Sequence, residues 1–542
     1  MIDRKAADHR IGLLALMLIT MAAVWLRFAH FSQLIVMDDE WHALHAMMQL
    51  DFGELFQTFG HADHSIPIAL WLKTLAVHVG LNEWRMGLPF LMAGVAAVLL
   101  LPWRFRHWLR PDESLVLAFL LSFSALLIFY SQQARPYALL VLTVPIAVVA
   151  LWQFRSQGRL GQLLAFVITG VASAWLHPLM LAWLGWALVV AAGFGLWDLR
   201  HDKGWISFWR MVIAGAVLMA LSASLLAWPV LNDLASLQVK TGADQVQAQT
   251  FWIAWQLFIG HGSHLVGVLA LGLAVLGGVE LARRDAPFLA YWLLIALGSL
   301  GMIAATNAAW LHHGLVLARY SVPLQIFAFV LISIGLHTLA RSVISAWPRQ
   351  LLIGIVLIAW VATGPLPEIK TQPNAWAKHM LYHFDYRKQR NVYRQHFASI
   401  EMPQAYREIG HAQGPGRVFE AGWWFEAHFN PLVIFQQLYQ RKVGIVMLNG
   451  RCMDWTHGEF PHPAHRVVSH QFEFRNFVFL DDIERHIQPG DFVVFHRHSL
   501  LPDARPRPDP SNCIAQARQL LGPPWFEDDS SVVFRSQVMD HP

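Results

Sequence analysis

The sequence predicts a polytopic α-helical membrane protein that carries a C-terminal α/β domain outside the bilayer. Three observations predict it. Of 542 residues, 56% are hydrophobic and 14% charged, against roughly 25% charged in soluble domains, and the apolar residues gather in long runs. Lys and Arg concentrate in alternate loops, as the positive-inside rule requires. After about residue 366 the long runs stop and short β-branched bursts begin.

The elements follow in chain order. The first run begins after MIDRKAADHR, and no small-residue cleavage site follows it, so it reads as a retained helix and not as a removed signal peptide. Apolar runs fall at 11–31, 86–103, 114–130, 137–153, 161–176, 178–197, 209–230, 265–281, 287–306, 319–340 and 350–365, about eleven segments of spanning length. Pro102, Pro178 and Pro323 lie near run ends or kinks, where a helix tolerates them. Many of the 25 Trp residues lie near the ends of the runs, as an interfacial belt requires.

SIPIALWLKTLAVHVGL, 65–81, is ambiguous, because it is apolar but short and contains Lys73 and His78. Read as an amphipathic helix on the membrane surface, it leaves Arg4/Lys5, Arg104/Arg106/Arg110, Arg155/Arg159, Arg200/Lys203/Arg210, Arg283/Arg284 and Arg341/Arg349 all on one side. Counted as a span, it puts most of these basic loops outside. The charge rule therefore sets the N-terminus in the cytoplasm and the loop 32–85 outside. The net charge of +4 is then loop Lys/Arg and not a nucleic-acid surface. The domains expected are 1–365, transmembrane, and 366–542, outside. The linker TGPLPEIKTQPN leads into GRVFEAG, VGIVMLNG, DFVVFHRH and SVVFRS, which read as strands of a small α/β domain. Cys452 and Cys513 are compatible with a disulfide that the sequence does not demand. No internal repeat or low-complexity tract is present.

Under this topology the unusual polar residues collect at the outer face. Asp38, Asp39 and Glu40 follow the first run, with His42 and His45 behind them. Acids favour the first turn of a helix, which is their plain structural reading. Three carboxylates beside a bilayer also repel one another and lose hydration, which suits a base or a partner for a cation. HADHSIP brings His61, Asp63 and His64 to the start of the ambiguous helix, and imidazole with carboxylate suits several divalent ions, so Glu40 with His64 is a candidate metal pair. Arg135 in YSQQARPYALL and Arg319 in LHHGLVLARYSVP, with His312 and His313, are snorkelling residues on one reading and clamps for a phosphate on the other. His177, His261 and His264 read as structural.

The ordered set of an Asp-Glu pair after the first helix, HSIP opening LWLKTLAVHVGLNEW, SQQARPYALL, and a later RYSVP resembles the GT-C fold polyprenyl-phosphate-sugar-dependent glycosyltransferases. Within that family it is most similar to bacterial relatives of the protein O-mannosyltransferases and aminoarabinose transferases. The resemblance covers roughly residues 10–340 and leaves the C-terminal domain unmatched. It implies that Asp39 is the catalytic base, in an acidic group with Asp38 and Glu40. It implies that Arg135, Arg319 and Tyr320 bind the donor phosphate, with Tyr137 in the same motif. Glu40, Asp63 and His64 would hold a divalent metal ion or orient the acceptor. Ile66 replaces a proline of the family's His-Pro-Pro, and Gly87 stands two before Pro89 where the family has an arginine, with Arg85 as the candidate substitute.

The activity implied is transfer of a sugar from a polyprenyl-phosphate donor to an envelope acceptor (lipid, polysaccharide or protein) at the periplasmic face of a bacterial inner membrane. The partners implied are the lipid-linked sugar, membrane lipids and that acceptor. Two other classes fit the composition: a transporter or lipid flippase, which requires charges deep in spans and paired broken helices, and a non-catalytic scaffold whose outer domain binds the envelope. The scaffold reading gives the acidic loop no role.

Overall fold

A computed structural model of the chain describes residues 2–29, 31, 38–59, 65–199, 204–235, 246–308, 311–343, 346–366, 403–421, 439, 441, 447–448, 452, 478–497 and 509–537. Of Asp38, Asp39 and His45 it describes the backbone alone. The chain forms two units. One comprises Met1–Phe31, Gly53–Ile68 and Gly87–Gln372; the other comprises Ser32–Phe52, Ala69–Met86 and Pro373–Pro542.

The helices of the N-terminal two thirds are α1 (Ile2–Phe28), α2 (Asp38–Gln49), α3 (Phe52–Leu55), α4 (Ile66–Thr74), α5 (Glu83–Arg104), α6 (Pro111–Phe123), α7 (Ala125–Ser131) and α8 (Tyr137–Gln157). There follow α9 (Leu160–Leu176), α10 (Met180–Leu199), α11 (Trp205–Asn232), α12 (Ala248–Ile259), α13 (His264–Thr306), α14 (Gly314–Tyr320), α15 (Val322–Val343) and α16 (Ala346–Thr363). Among the described residues six helices are long and apolar enough to cross a membrane, and the bent pair α6–α7 makes a seventh. Gly12–Phe28, Leu160–Leu176 and Pro348–Thr363 are apolar but shorter. The expected segments 265–281 and 287–306 are joined in α13, which breaks at Asp285 (φ −159°, ψ 78°). Eleven crossings stay an expectation.

In the first unit, α13 and α15 pack backbone to backbone. A Cβ on Gly277 would lie 1.8 Å from the Leu331 carbonyl oxygen, and one on Gly335 would lie 1.9 Å from that of Leu273. Small residues permit this approach, which drives helix association where no water is expelled. At one end of the unit the ion pairs gather. Buried Glu113 accepts from both Nη1 and Nη2 of Arg284 at 2.7 Å, Trp108 Nε1 donates to Asp285 at 2.9 Å, and His337 lies 3.5 Å from Asp112. Three of the basic loops that the charge rule assigned to one side thus touch one another.

The α6–α7 span is broken, bent by 59° at Ser124. Helix ends leave carbonyls without intrahelical partners, and inside an apolar bundle those need donors. Buried Arg27 of α1 supplies them. Its Nη2 donates to Leu121 O at 3.0 Å and its Nη1 to Ser122 O at 3.2 Å. Its Nε reaches Ser131 Oγ, at the far end of α7, at 3.3 Å. Gln325 Nε2 donates to Ser124 Oγ at 3.1 Å, at the bend itself. Gly94 lets Arg27 lie flat, since a Cβ there would meet Arg27 Nε at 2.8 Å.

In the second unit, α2 is bounded by acids at its start and by Lys73 at its end. Lys73 is buried and its Nζ donates to the carbonyls of Met47 and Leu50, at 3.1 and 2.5 Å. A cation there complements the helix dipole. Lys73, one of the two residues that made 65–81 ambiguous, is thus turned into the protein. α4 continues into a π-helical turn, Leu75–Val79; Trp71, His78 and Val79 are exposed, whereas Lys73 is buried.

The C-terminal part of that unit holds α17 (Gln404–His411), β1 (Val418–Ala421), β2 (Met447–Leu448), β3 (Val478–Phe479), β4 (Phe492–His496), α18 (Ser511–Leu521), β5 (Phe526–Glu527) and β6 (Ser531–Arg535). All four expected strands are present, as β1, β2, β4 and β6. The sheet order is β3-β2-β1-β4-β6-β5, with β1 parallel to β2 and to β4 and with β6 antiparallel. Phe419, Val493, Phe495, Ile514 and Phe534 form its core. Cys452 and Cys513 are joined in a disulfide.

Candidate functional site

Arg135 lies in the turn between α7 and α8, so the bend at Ser124 and the anchorage of Ser131 decide where it stands. Gln132 Nε2 fastens the same turn by donating to Arg27 O at 3.0 Å. Arg135 is buried, which excludes a snorkelling side chain. Its guanidinium lies 6.0 Å from the Tyr137 ring centre. Arg319, at the end of α14, lies 5.6 Å from that same ring and 5.3 Å from Tyr320. Arg135, Arg319 and Tyr320, expected together from sequence, are therefore gathered around one tyrosine. They stand at the start of α8 and beside the start of α15, at the opposite ends of those helices from Arg155 and His337.

Four further side chains join them. The His177 ring is 5.2 Å from Tyr320 and 6.1 Å from Tyr137, and Tyr130 is 4.7 Å from Tyr137. Trp183 Nε1 holds the Tyr320 carbonyl at 3.2 Å. His313 begins α14, its Nδ1 accepting from Leu315 N at 3.3 Å. Burial, with the nearby charges of Arg319 and His312, pushes its pKa down to about 4, so it is neutral at pH 7. Gly314 brings α14 against α12, where a Cβ would meet Ile253 Cγ2 at 2.3 Å. The site is thus two guanidiniums, two imidazoles and three phenol rings. Guanidinium N–H groups in pairs match a phosphate in charge and in fork geometry.

His177 was read from sequence as structural, and the fold brings it to the tyrosines. The available signal was its place at the end of α9, before Pro178. His261 and His264 are structural as expected: His261 accepts from Ser263 N at 3.0 Å and His264 from Trp252 Nε1 at 2.8 Å.

The acidic residues lie in the other unit. Asp38 and Asp39 open α2 and Glu40, in its first turn, is buried. Asp63 and His64 lie outside the described residues. Among the described residues no three His, Cys, Asp or Glu side chains converge as a metal requires.

The family arginine two before Pro89 is ruled out on space, because a Cβ on Gly87 would lie 2.1 Å from Phe31 Cζ. Arg85 does other work, its Nη1 donating to Val79 O and Gly80 O at 2.8 and 2.7 Å, where the π-helical turn ends.

No family model and no curated protein matches this chain. Among solved structures it is similar to ArnT from Cupriavidus metallidurans in the apo state, with 12% identity and a TM-score of 0.46 over 98% of each chain. The same protein bound to undecaprenyl phosphate gives 12% and 0.45, over 97% of this chain and 98% of that one. The oligosaccharyltransferase of Archaeoglobus fulgidus in the apo form gives 12% and 0.40, over 78% of this chain and 64% of that one.

Proposed function

We propose that this chain is a multi-pass membrane glycosyltransferase that moves a sugar from a polyprenyl-phosphate donor to an acceptor hydroxyl at the outer face. The observation that carries the reading is the convergence of Arg135 and Arg319 on Tyr137. Two guanidinium forks beside one ring offer a phosphate paired N–H donors and matching charge. The leaving group in this reaction is a lipid phosphate, so positive charge belongs where negative charge develops. The ordered motifs around Asp39, His64, Arg135 and Arg319 point the same way.

In the proposed step the acceptor oxygen attacks the anomeric carbon. The new C–O bond forms as the bond to the phosphate oxygen breaks, and the electron pair leaves with the lipid phosphate. Asp39 takes the acceptor proton, with Asp38 and Glu40 setting the field around it. Arg135, Arg319 and Tyr320 hold the departing phosphate. Glu40, with Asp63 and His64, orients the acceptor or binds a divalent cation, and no step above runs through a metal.

The acceptor side is proposed to be the periplasm, with the N-terminus in the cytoplasm. The disulfide Cys452–Cys513 fits an oxidising compartment for the C-terminal domain. A transporter requires paired broken helices in two halves; among the described residues one bent helix pair, α6–α7, is present.

The test is transfer by purified protein in nanodiscs, offered radiolabelled polyprenyl-phosphate sugars and an envelope extract, with and without a chelator. Transfer by wild type that is lost in Asp39→Asn supports the base, and full activity of that variant refutes it. The chelator arm reads the metal.

A further inference from the structure

We infer that the carboxyl edge of the C-terminal sheet, between β1 and β4, is a binding site for a saccharide group that donates hydrogen bonds through hydroxyl or amine. The inference does not rest on the transferase reading.

The topology comes first. In the order β3-β2-β1-β4 the parallel strands reverse direction of progression at β1/β4. In open α/β sheets ligands bind outside the carboxyl ends of such a strand pair. Glu420 is the third residue of β1, and His496 is the last of β4. Both are buried, with Tyr406 from α17 and with Tyr439.

The hydrogen bonding is lopsided. Tyr406 Oη donates to Glu420 Oε2 at 2.7 Å, and His496 Nε2 lies 3.0 Å from the same oxygen and 2.7 Å from Tyr406 Oη. Two groups, the Tyr406 hydroxyl and the His496 ring, crowd on Oε2. Glu420 Oε1 and Tyr439 Oη, both buried, have no hydrogen-bond partner among the described residues.

The same two strands carry their own control. At their amino ends, Asp491 accepts from Arg417 N at 2.7 Å, from Arg417 Nε at 3.0 Å and from Gln488 N at 2.8 Å. Both of its oxygens are satisfied, as a structural pair requires. The carboxyl-end group is buried as deeply and leaves an acceptor and a phenol open.

The open atoms select the ligand. Glu420 Oε1 calls for a donor. Glu420 has no Lys or Arg partner among the described residues, and Arg441, close to Tyr439 in sequence, gives its N–H groups to the carbonyls of Ile409, Ala412 and Gly414. A carboxylate with no Lys or Arg beside it repels phosphates and other anions. The rings of Tyr406 and Tyr439 stack with centres 5.7 Å apart, and they offer an aromatic wall for the apolar face of a sugar. Burial and the charge of Glu420 also hold the Tyr439 hydroxyl protonated well above the usual phenol range, so it is a donor.

The experiment is hydrogen–deuterium exchange of the full-length protein in nanodiscs, with glucosamine, glucose or inorganic phosphate at millimolar concentration. Glucosamine should slow exchange in peptides covering 404–421 and 491–497, and phosphate should not. Protection by glucose as well shows that hydroxyls suffice; protection by glucosamine alone assigns the amine to Glu420. Glu420→Gln should lose the protection, and Tyr439→Phe, which keeps the ring, should weaken it. Three outcomes overturn the inference: no sugar slows exchange there, phosphate does so, or both variants are protected like wild type. A buried water would then complete a purely structural network. The readout is binding and not transfer, so its failure leaves the transferase reading untouched.

Discussion

Arg27→Met tests how the broken span holds the phosphate site. Methionine is similar in length and apolar, so it fills much of the space beneath Gly94 and removes the donors. Replacing a whole buried ion pair by apolar residues is often neutral, because both partners leave together. Here the partners are backbone carbonyls and remain. Leu121 O and Ser122 O each lose the bond they receive from Arg27. A buried acceptor left without its donor costs about 1–3 kcal/mol, so the pair comes to about 2–6 kcal/mol. Ser131 Oγ keeps its bond to Leu127 O at 2.6 Å but loses the strut from α1. The midpoint of detergent unfolding, followed by tryptophan fluorescence, should fall. Affinity for polyprenyl phosphate should fall with it, because Ser131 and Gln132 set the turn that carries Arg135. Arg27→Lys, which can still serve two carbonyls, should recover part of both losses. Wild-type stability and wild-type lipid affinity in Arg27→Met would refute the reasoning.

Other outcomes follow from the same geometry. Arg135→Lys keeps the charge but loses the planar fork, so it should raise the KM for the lipid-linked donor nearly as much as Arg135→Ala, on the order of tenfold or more; recovery of wild-type KM by lysine would show that charge alone matters. His313 has a folded pKa of about 4, below its unfolded value of about 6.5, so the unfolded chain binds the extra proton. Stability should be full above pH 6.5 and should decline between 6.5 and 4, by roughly 3 kcal/mol at most. His313→Asn, which can still cap α14, should flatten that part of the stability curve. Removing the disulfide with Cys452→Ser and Cys513→Ser opens a loop of sequence separation 61. The chain-entropy estimate for that loop is about 4 kcal/mol, read as earlier proteolysis of the C-terminal domain.

The sequence by itself determined the membrane class, most segment positions and all four expected strands. Each of these is written in local composition: an apolar run of spanning length or a β-branched burst between turn residues reports its environment without reference to distant residues. The family resemblance carried by its motifs also implied Arg135, Arg319 and Tyr320 as one group. What the sequence did not contain is distance. His177 joins Tyr137 and Tyr320 across three helices, and its place before Pro178 gives no distance to either ring. Lys73 only made 65–81 ambiguous in sequence, and it caps α2 because carbonyls 23 and 26 residues earlier need a donor. Gly87 excludes an arginine only because Phe31 is packed against it. Arg27 reads as the end of a hydrophobic run, and its purpose emerges where α6 breaks almost a hundred residues later. Hydropathy is a property of a segment, whereas the satisfaction of a buried polar group depends on which segments meet. Only the tertiary structure decides that.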